Sequence, residues 1–183
     1  SNEIISALFG YGSFSELSVE NSARALYFFG LGLPAFALIK VFSSFFFANH
    51  DTKKPFYISV LSVIVNITIS VYYFHNVGFI IIPIATTISS WFNAIVLLVY
   101  LKKDRFFEFN GIFISRLMKI IIASFLMGGL FKFLILNLEN QLSYDYYFKS
   151  VYLVSAVLAC ITFYVFVSIF IKAFQTDDIK LKY

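Results

Sequence analysis

Chemistry needs polar groups within reach of one another, and this sequence places few of them together. Its two histidines, His50 and His75, lie at opposite ends of one apolar segment. Its single cysteine, Cys160, sits inside another apolar run, and the acidic residues fall at the ends or connections of such runs. No Ser-His-Asp set, paired carboxylate, glycine-rich phosphate loop or metal-ligand spacing is visible. The sequence therefore predicts neither enzymatic catalysis nor a cofactor, a metal centre or a disulfide.

Three other features stand out. Lys40 follows Gly30-Leu31-Gly32-Leu33-Pro34-Ala35-Phe36-Ala37-Leu38-Ile39, and an ammonium in hydrocarbon costs at least about 2.5 to 3.5 kcal/mol, so it must face protein or a watery cavity, or snorkel to the headgroups. Pro34 lacks an amide hydrogen and frees the carbonyl of Gly30. Gly30, Gly32 and Pro34 thus mark a kink that serves either as a hinge or as a packing feature. Finally, Ser59, Ser62, Asn66 and Ser70 share one helical face, as do Thr86, Ser90 and Asn93. Such stripes bond helix to helix or line a hydrophilic cavity. Lys40, Asn66, Thr86, Ser90 and Asn93 are accordingly the cavity candidates.

The elements that carry these residues follow from composition. The 183 residues are 60% hydrophobic, 21% aromatic and only 13% charged, with a mean hydropathy of +0.85. A soluble domain would carry about 25% charged residues, so this is an all-α integral membrane chain, and a nucleic-acid partner is not expected. About 20 apolar residues cross a bilayer. Spans are expected at about 25–48, 56–74, 79–101, 116–136 and 149–171, the second and third separated at His75-Asn76-Val77-Gly78. Residues 1–24 read as the end of a preceding helix and a polar outer loop with Glu16 and Glu20, and 1–183 as a single transmembrane helical region. Gly128-Gly129, Ser155, Ala156 and Ala159 read as close-packing sites. The absence of an initiator Met, a basic n-region and a cleavage site gives no signal peptide and reads as a piece of a longer protein.

Charge position gives an orientation. Lys53, Lys54, Lys102, Lys103, Arg105, Arg116, Lys119, Lys172, Lys180 and Lys182 fall on one side, against Arg24 and Lys149 on the other. The cation-rich side is expected in the cytoplasm, together with the C-terminus.

Particular strings add to this. Leu8-Phe9-Gly10-Tyr11-Gly12-Ser13-Phe14, Gly32 through Phe42, Phe46-Phe47-Ala48-Asn49-His50-Asp51-Thr52-Lys53-Lys54-Pro55, and Gly78 through Ala85-Thr86 to Trp91-Phe92-Asn93-Ala94 follow one another in an order that resembles the C-terminal third of the MurJ/MviN lipid II flippases. The specific strings cover residues 3–101. Beyond them the resemblance rests on helix count and hydropathy. One departure is Ser44-Phe45-Phe46-Phe47-Ala48, where the family usually has Pro-x-Phe-Tyr-Ala, which leaves the local bend open.

The resemblance implies a member of the multidrug/oligosaccharidyl-lipid/polysaccharide exporter superfamily, the C-terminal part of a larger helical flippase bundle. Two bundles rock around a cavity and carry lipid-linked peptidoglycan precursor from the inner to the outer leaflet of the bacterial cytoplasmic membrane. The implied partners are lipid II, membrane lipids and the N-terminal helices of the same protein, which hold the family's essential arginines and acidic residue. The last two helices would form an apolar groove for the lipid tail. Set against this are a related polysaccharide or drug exporter, an enzyme of polyprenyl-linked sugars, and a non-transporting partner subunit.

Overall fold

The computed structural model describes residues 1–9, 15–104, 111–138 and 148–171, without the side chains of 112 and 113. Six α-helices follow in order: α1 (Asn2–Phe9), α2 (Glu16–Ala48), α3 (Lys53–Val77), α4 (Ile81–Lys103), α5 (Gly111–Asn137) and α6 (Lys149–Phe170). A 3₁₀ turn, Gly78–Ile80, joins α3 to α4. Among the described residues there is no strand, and the all-α expectation holds. Among the described residues, four helical stretches are long and apolar enough to cross a membrane, and the 51-residue stretch Lys53–Lys103 is α3 and α4 folded back on each other.

Residues 16–24, expected in a loop, are instead the first turns of α2. The physical reason is a cap. The Ser15 hydroxyl accepts from the Ser18 amide at 3.3 Å and its carbonyl accepts from Val19 at 3.0 Å. Glu20 and Arg24, one turn apart, pair at 2.6 Å, so the charges that suggested a loop support the helix. At 1.5 Å per residue the 33 residues of α2 run about 50 Å, more than the roughly 30 Å hydrocarbon core.

The α2–α3 connection is a Schellman motif. His50 donates to the Phe47 carbonyl at 3.0 Å and Asp51 to that of Phe46 at 2.9 Å. The left-handed position belongs to His50, at φ 58°, where glycine is usual. Asp51 then accepts the Lys54 amide at 3.2 Å and so caps α3. Helix α3 continues through His75, Asn76 and Val77, and the chain turns at Gly78, φ 71°. Pro55 and Pro83 stand in the first turns of α3 and α4, where their missing amide hydrogen leaves no gap. Only Pro34 is internal to a helix.

The region read as single divides into two compact units. One contains α2 from Glu20 onward with α3 and α4; the other contains α1, the start of α2 through Val19, α5 and α6. In the first, Phe42 and Phe46 of α2 pack with Ile58 of α3 and Leu97 and Leu101 of α4. In the second, Ala7 of α1 and Leu153 of α6 are buried with Phe131 and Ile135 of α5, and the Ser150 hydroxyl donates to the Ala7 carbonyl at 2.6 Å. Gly128 and Gly129 are not close-packing sites among the described residues, since a Cβ on either would meet nothing within 4 Å. Of the other small residues of α6, Ala156 is buried while Ser155 and Ala159 are exposed.

The expected sequence departure also has a structural outcome. Helix α2 runs through Ser44 without interruption, and the Ser44 hydroxyl donates to the Lys40 carbonyl at 2.9 Å. Arg105, Glu139, Asp145 and the lysines from 172 onward lie outside the described residues.

Candidate functional site

The polar residues singled out from sequence gather within the α2–α3–α4 unit, where they do different things. Asn66 of α3 donates its amide to the Thr86 hydroxyl at 3.1 Å and the Ser89 hydroxyl at 3.2 Å, both on α4. Thr86 in turn donates to the Ile82 carbonyl at 2.8 Å, and Ser89 to the Thr86 carbonyl at 3.1 Å. Each hydroxyl is thus donor to its own helix and acceptor from the next. An amide side chain in hydrocarbon must find such partners, because no water is there to replace them.

Ser90 is buried and donates to the Thr86 carbonyl at 2.6 Å. Asn93, one turn further along α4, is 7% exposed, and its Oδ1 has no hydrogen-bond partner among the described residues. Ser62 is buried and bonds the Ile58 carbonyl at 2.8 Å, Ser59 is exposed, and the Ser70 hydroxyl is buried without a partner among the described residues.

Lys40 differs from Asn66, Thr86, Ser90 and Asn93, because it is exposed. At 100° per residue it stands about 140° around α2 from Ala35 and about 160° from Phe42, both of which are buried. Phe42 meets α3 and α4, so Lys40 points away from that packed side.

The three bend candidates separate as well. A Cβ on Gly30 would meet nothing within 4 Å, whereas one on Gly32 would come within 3.1 Å of the Thr87 hydroxyl and 3.5 Å of that of Ser90. Gly32 is therefore where α2 and α4 approach closely, and Pro34, exposed, follows two residues later. Around that approach α4 donates twice to the backbone of α2: Thr87 Oγ1 to the Phe28 carbonyl at 2.6 Å and Trp91 Nε1 to the Leu31 carbonyl at 3.0 Å. Neither residue lay on the stripes read from sequence. The available signal was the indole itself, which needs an acceptor in an apolar setting, and a threonine one turn before it.

At the end of the unit where α3 begins and α4 finishes, Lys54 bridges two carboxylates, Asp51 Oδ2 at 3.0 Å and Asp104 Oδ2 at 2.7 Å. The Lys54 side chain and amide hydrogen-bonded to Asp51 hold its carboxyl below the usual range. The side-chain cluster that the sequence left unassigned is thus a tie between the α2–α3 turn and the end of α4. Lys149, counted among the sparse cations, is fully buried as the first residue of α6. Among the described residues no group of His, Cys, Asp and Glu is placed to hold a metal ion.

Comparison with known proteins decides the family. The model of the lipid II flippase MurJ family matches residues 1–154, through α5 and into α6. The chain belongs to the MurJ family. It is 28% identical to the probable lipid II flippase MurJ of Rickettsia prowazekii over 170 residues, covering 93% of this chain and 32% of that protein. It is 32% identical to the probable lipid II flippase MurJ of Rhizobium tropici over 134 residues, 73% of this chain and 25% of that protein. With that of Thermotoga maritima it shares 32% over 128 residues, 70% and 25% of the two chains. The chain spans about a quarter to a third of the length of these MurJ relatives. Family membership and the four apolar stretches make it a multi-pass membrane protein. The family match also reaches past residue 101, where the sequence strings had stopped.

Proposed function

We infer that this chain is part of a lipid II flippase, a transporter that carries lipid-linked peptidoglycan precursor from the inner to the outer leaflet of the cytoplasmic membrane by alternating access. The observation that carries this reading is the MurJ family match over residues 1–154. The physical task is to replace the water around a pyrophosphate, sugar and peptide headgroup while the polyprenyl tail stays in lipid. Lys40 is the residue of this chain suited to that task, an exposed ammonium on the side of α2 turned away from α3 and α4. One ammonium does not balance a pyrophosphate of about two negative charges, since burying unpaired ions costs several kcal/mol each. The remaining cations come from further helices of the flippase.

In this reading Asn66, Thr86, Ser90 and Asn93 serve the same path indirectly, by fixing α3 and α4 behind the helix that bears Lys40. The cation-rich ends of the helices face the cytoplasm. A cysteine placed at exposed Asn76 is then labelled by an impermeant thiol reagent from outside the cell and one at Lys103 is not, and the opposite pattern reverses the orientation. The function itself is tested by expressing the full-length protein that carries these helices in a bacterium depleted of its lipid II flippase. Growth and precursor translocation are restored. Lack of rescue at normal membrane abundance rejects the reading.

A further inference from the structure

An internal proline in a membrane helix is either a joint that moves or a bend that is held, and the hydrogen bonds across α2 and α4 distinguish the two. Before Pro34, Thr87 and Trp91 donate to the carbonyls of Phe28 and Leu31. Between those carbonyls and the proline, Gly32 brings the helices to a separation that leaves no room for a side chain without displacing Thr87. After Pro34, Phe42 and Phe46 are packed against Leu97 and Leu101 of the same helix α4. Both arms of α2 are therefore fastened to one continuous partner, by polar contacts on one side of the bend and apolar contacts on the other.

The fastening suits its setting. Pro34 removes one amide hydrogen from the ladder and loosens the turn before it. Thr87 and Trp91 bond not the freed Gly30 carbonyl but those of Phe28 and Leu31 on either side of it, so in hydrocarbon, where no water competes, they tie the weakened turn to α4. Thr87 and Trp91 are four residues apart on α4 and so present their donors on one face, one turn apart, to carbonyls three residues apart on α2.

We propose that Thr87 and Trp91 are positioning residues: they hold α2 in one form about Pro34 and thereby fix the direction in which its second half, with Lys40, faces the transport path. The inference rests on the flippase reading for the role of Lys40, but the held bend does not depend on it. On this proposal Pro34 is not a moving hinge, and α2, α3 and α4 travel as one body when the transporter changes state.

The test is a distance measurement across the bend. Spin labels on cysteines at Tyr27 and Val41, exposed by 57% and 53%, stand about 21 Å apart along the helix. The full-length protein that carries these helices, with Cys160→Ala and its other cysteines replaced, is reconstituted in lipid nanodiscs, and the distribution is read by pulsed electron resonance with and without lipid II. One narrow distribution, unchanged by lipid II, is expected. Thr87→Val with Trp91→Phe at least doubles its width, and Thr87→Ser, which keeps the hydroxyl, leaves it narrow. Should the double variant fail to insert, Gly32→Leu broadens the distribution by wedging α2 from α4, while Gly30→Leu, which meets open space, does not. Two populations in the parent, or no broadening on removing the donors or wedging Gly32, overturns the proposal. Failure of the flippase reading shows separately, as absent lipid II translocation by the same full-length protein in proteoliposomes with the narrow distribution intact.

Discussion

The two compact units of this chain are both built from apolar helices and are held together differently. In α2–α4 the contacts are specific and polar: Asn66 to Thr86 and Ser89, Thr87 and Trp91 to the backbone of α2, Lys54 to Asp51 and Asp104. In the unit of α1, α5 and α6, the hydroxyls of Ser124, Ser155 and Thr162 bond their own helix, and Ser150 to Ala7 reaches across. Burial is deepest in the α3–α4 stretch, with 44% of its apolar window buried against 22% for α6, 17% for α2 and 6% for α5. Lipid tails are as apolar as leucine, so hydrophobicity alone does not choose a partner helix inside a membrane. What makes one unit a defined body is where its polar side chains point.

The largest effect expected from this difference is in the packed aromatic layer. Phe46→Ala, at a position with no exposure, destabilises the chain by about 3 kcal/mol. Phe125→Ala on α5, 78% exposed, changes stability by under about 0.5 kcal/mol. Reversible denaturation in detergent measures both, and equal losses would erase the distinction between the units.

Next comes the polar stitching. Asn66→Leu removes two interhelical hydrogen bonds and costs about 1 kcal/mol, whereas Ser124→Ala, whose hydroxyl bonds only the Ile120 carbonyl, costs close to nothing. A larger loss at Ser124 than at Asn66 in the same denaturation assay would contradict the comparison.

At the α2–α3 turn, His50→Gly relieves a left-handed residue and stabilises by about 1 kcal/mol, while at the α3–α4 turn Gly78→Ala forces a side chain into a nearly glycine-only conformation and costs about 1 to 3 kcal/mol, both read as shifts in thermal midpoint. The smallest effect is electrostatic. Asp51 is held below its ordinary value by Lys54, so its contribution is complete above the unfolded carboxylate range and is lost as pH falls through the lower, folded value. Asp51→Asn removes that acid-side loss. The variant's midpoint against pH is correspondingly flatter below the usual carboxylate range.

How far the sequence reaches is clear from particular residues. The face shared by Asn66 and its neighbours was legible because spacing alone puts residues on one side of a helix, and α4 offered Thr86 in the matching stretch. The choice between cavity and interhelical bonding was not, because it depends on what stands opposite. Glu16 and Glu20 suggested a loop since charges are costly in hydrocarbon, yet α2 is longer than the membrane core and carries them in its first two turns, behind the Ser15 cap. Lys54 and Asp104 are 50 residues apart and meet only because α3 and α4 fold back on each other at Gly78. Pro34 was visible as a place where α2 could bend, but the hydrogen bonds from Thr87 and Trp91 that flank it were not, because they depend on what stands opposite.

The central claim, that this chain supplies the Lys40-bearing wall of a lipid II flippase, is tested most directly by translocation of labelled lipid II in proteoliposomes containing the full-length flippase with these helices. Lys40→Ala should slow translocation about tenfold or more at equal protein content, with Lys132→Ala, also an exposed lysine, slowing it less than twofold. Equal rates for the two variants would contradict the account.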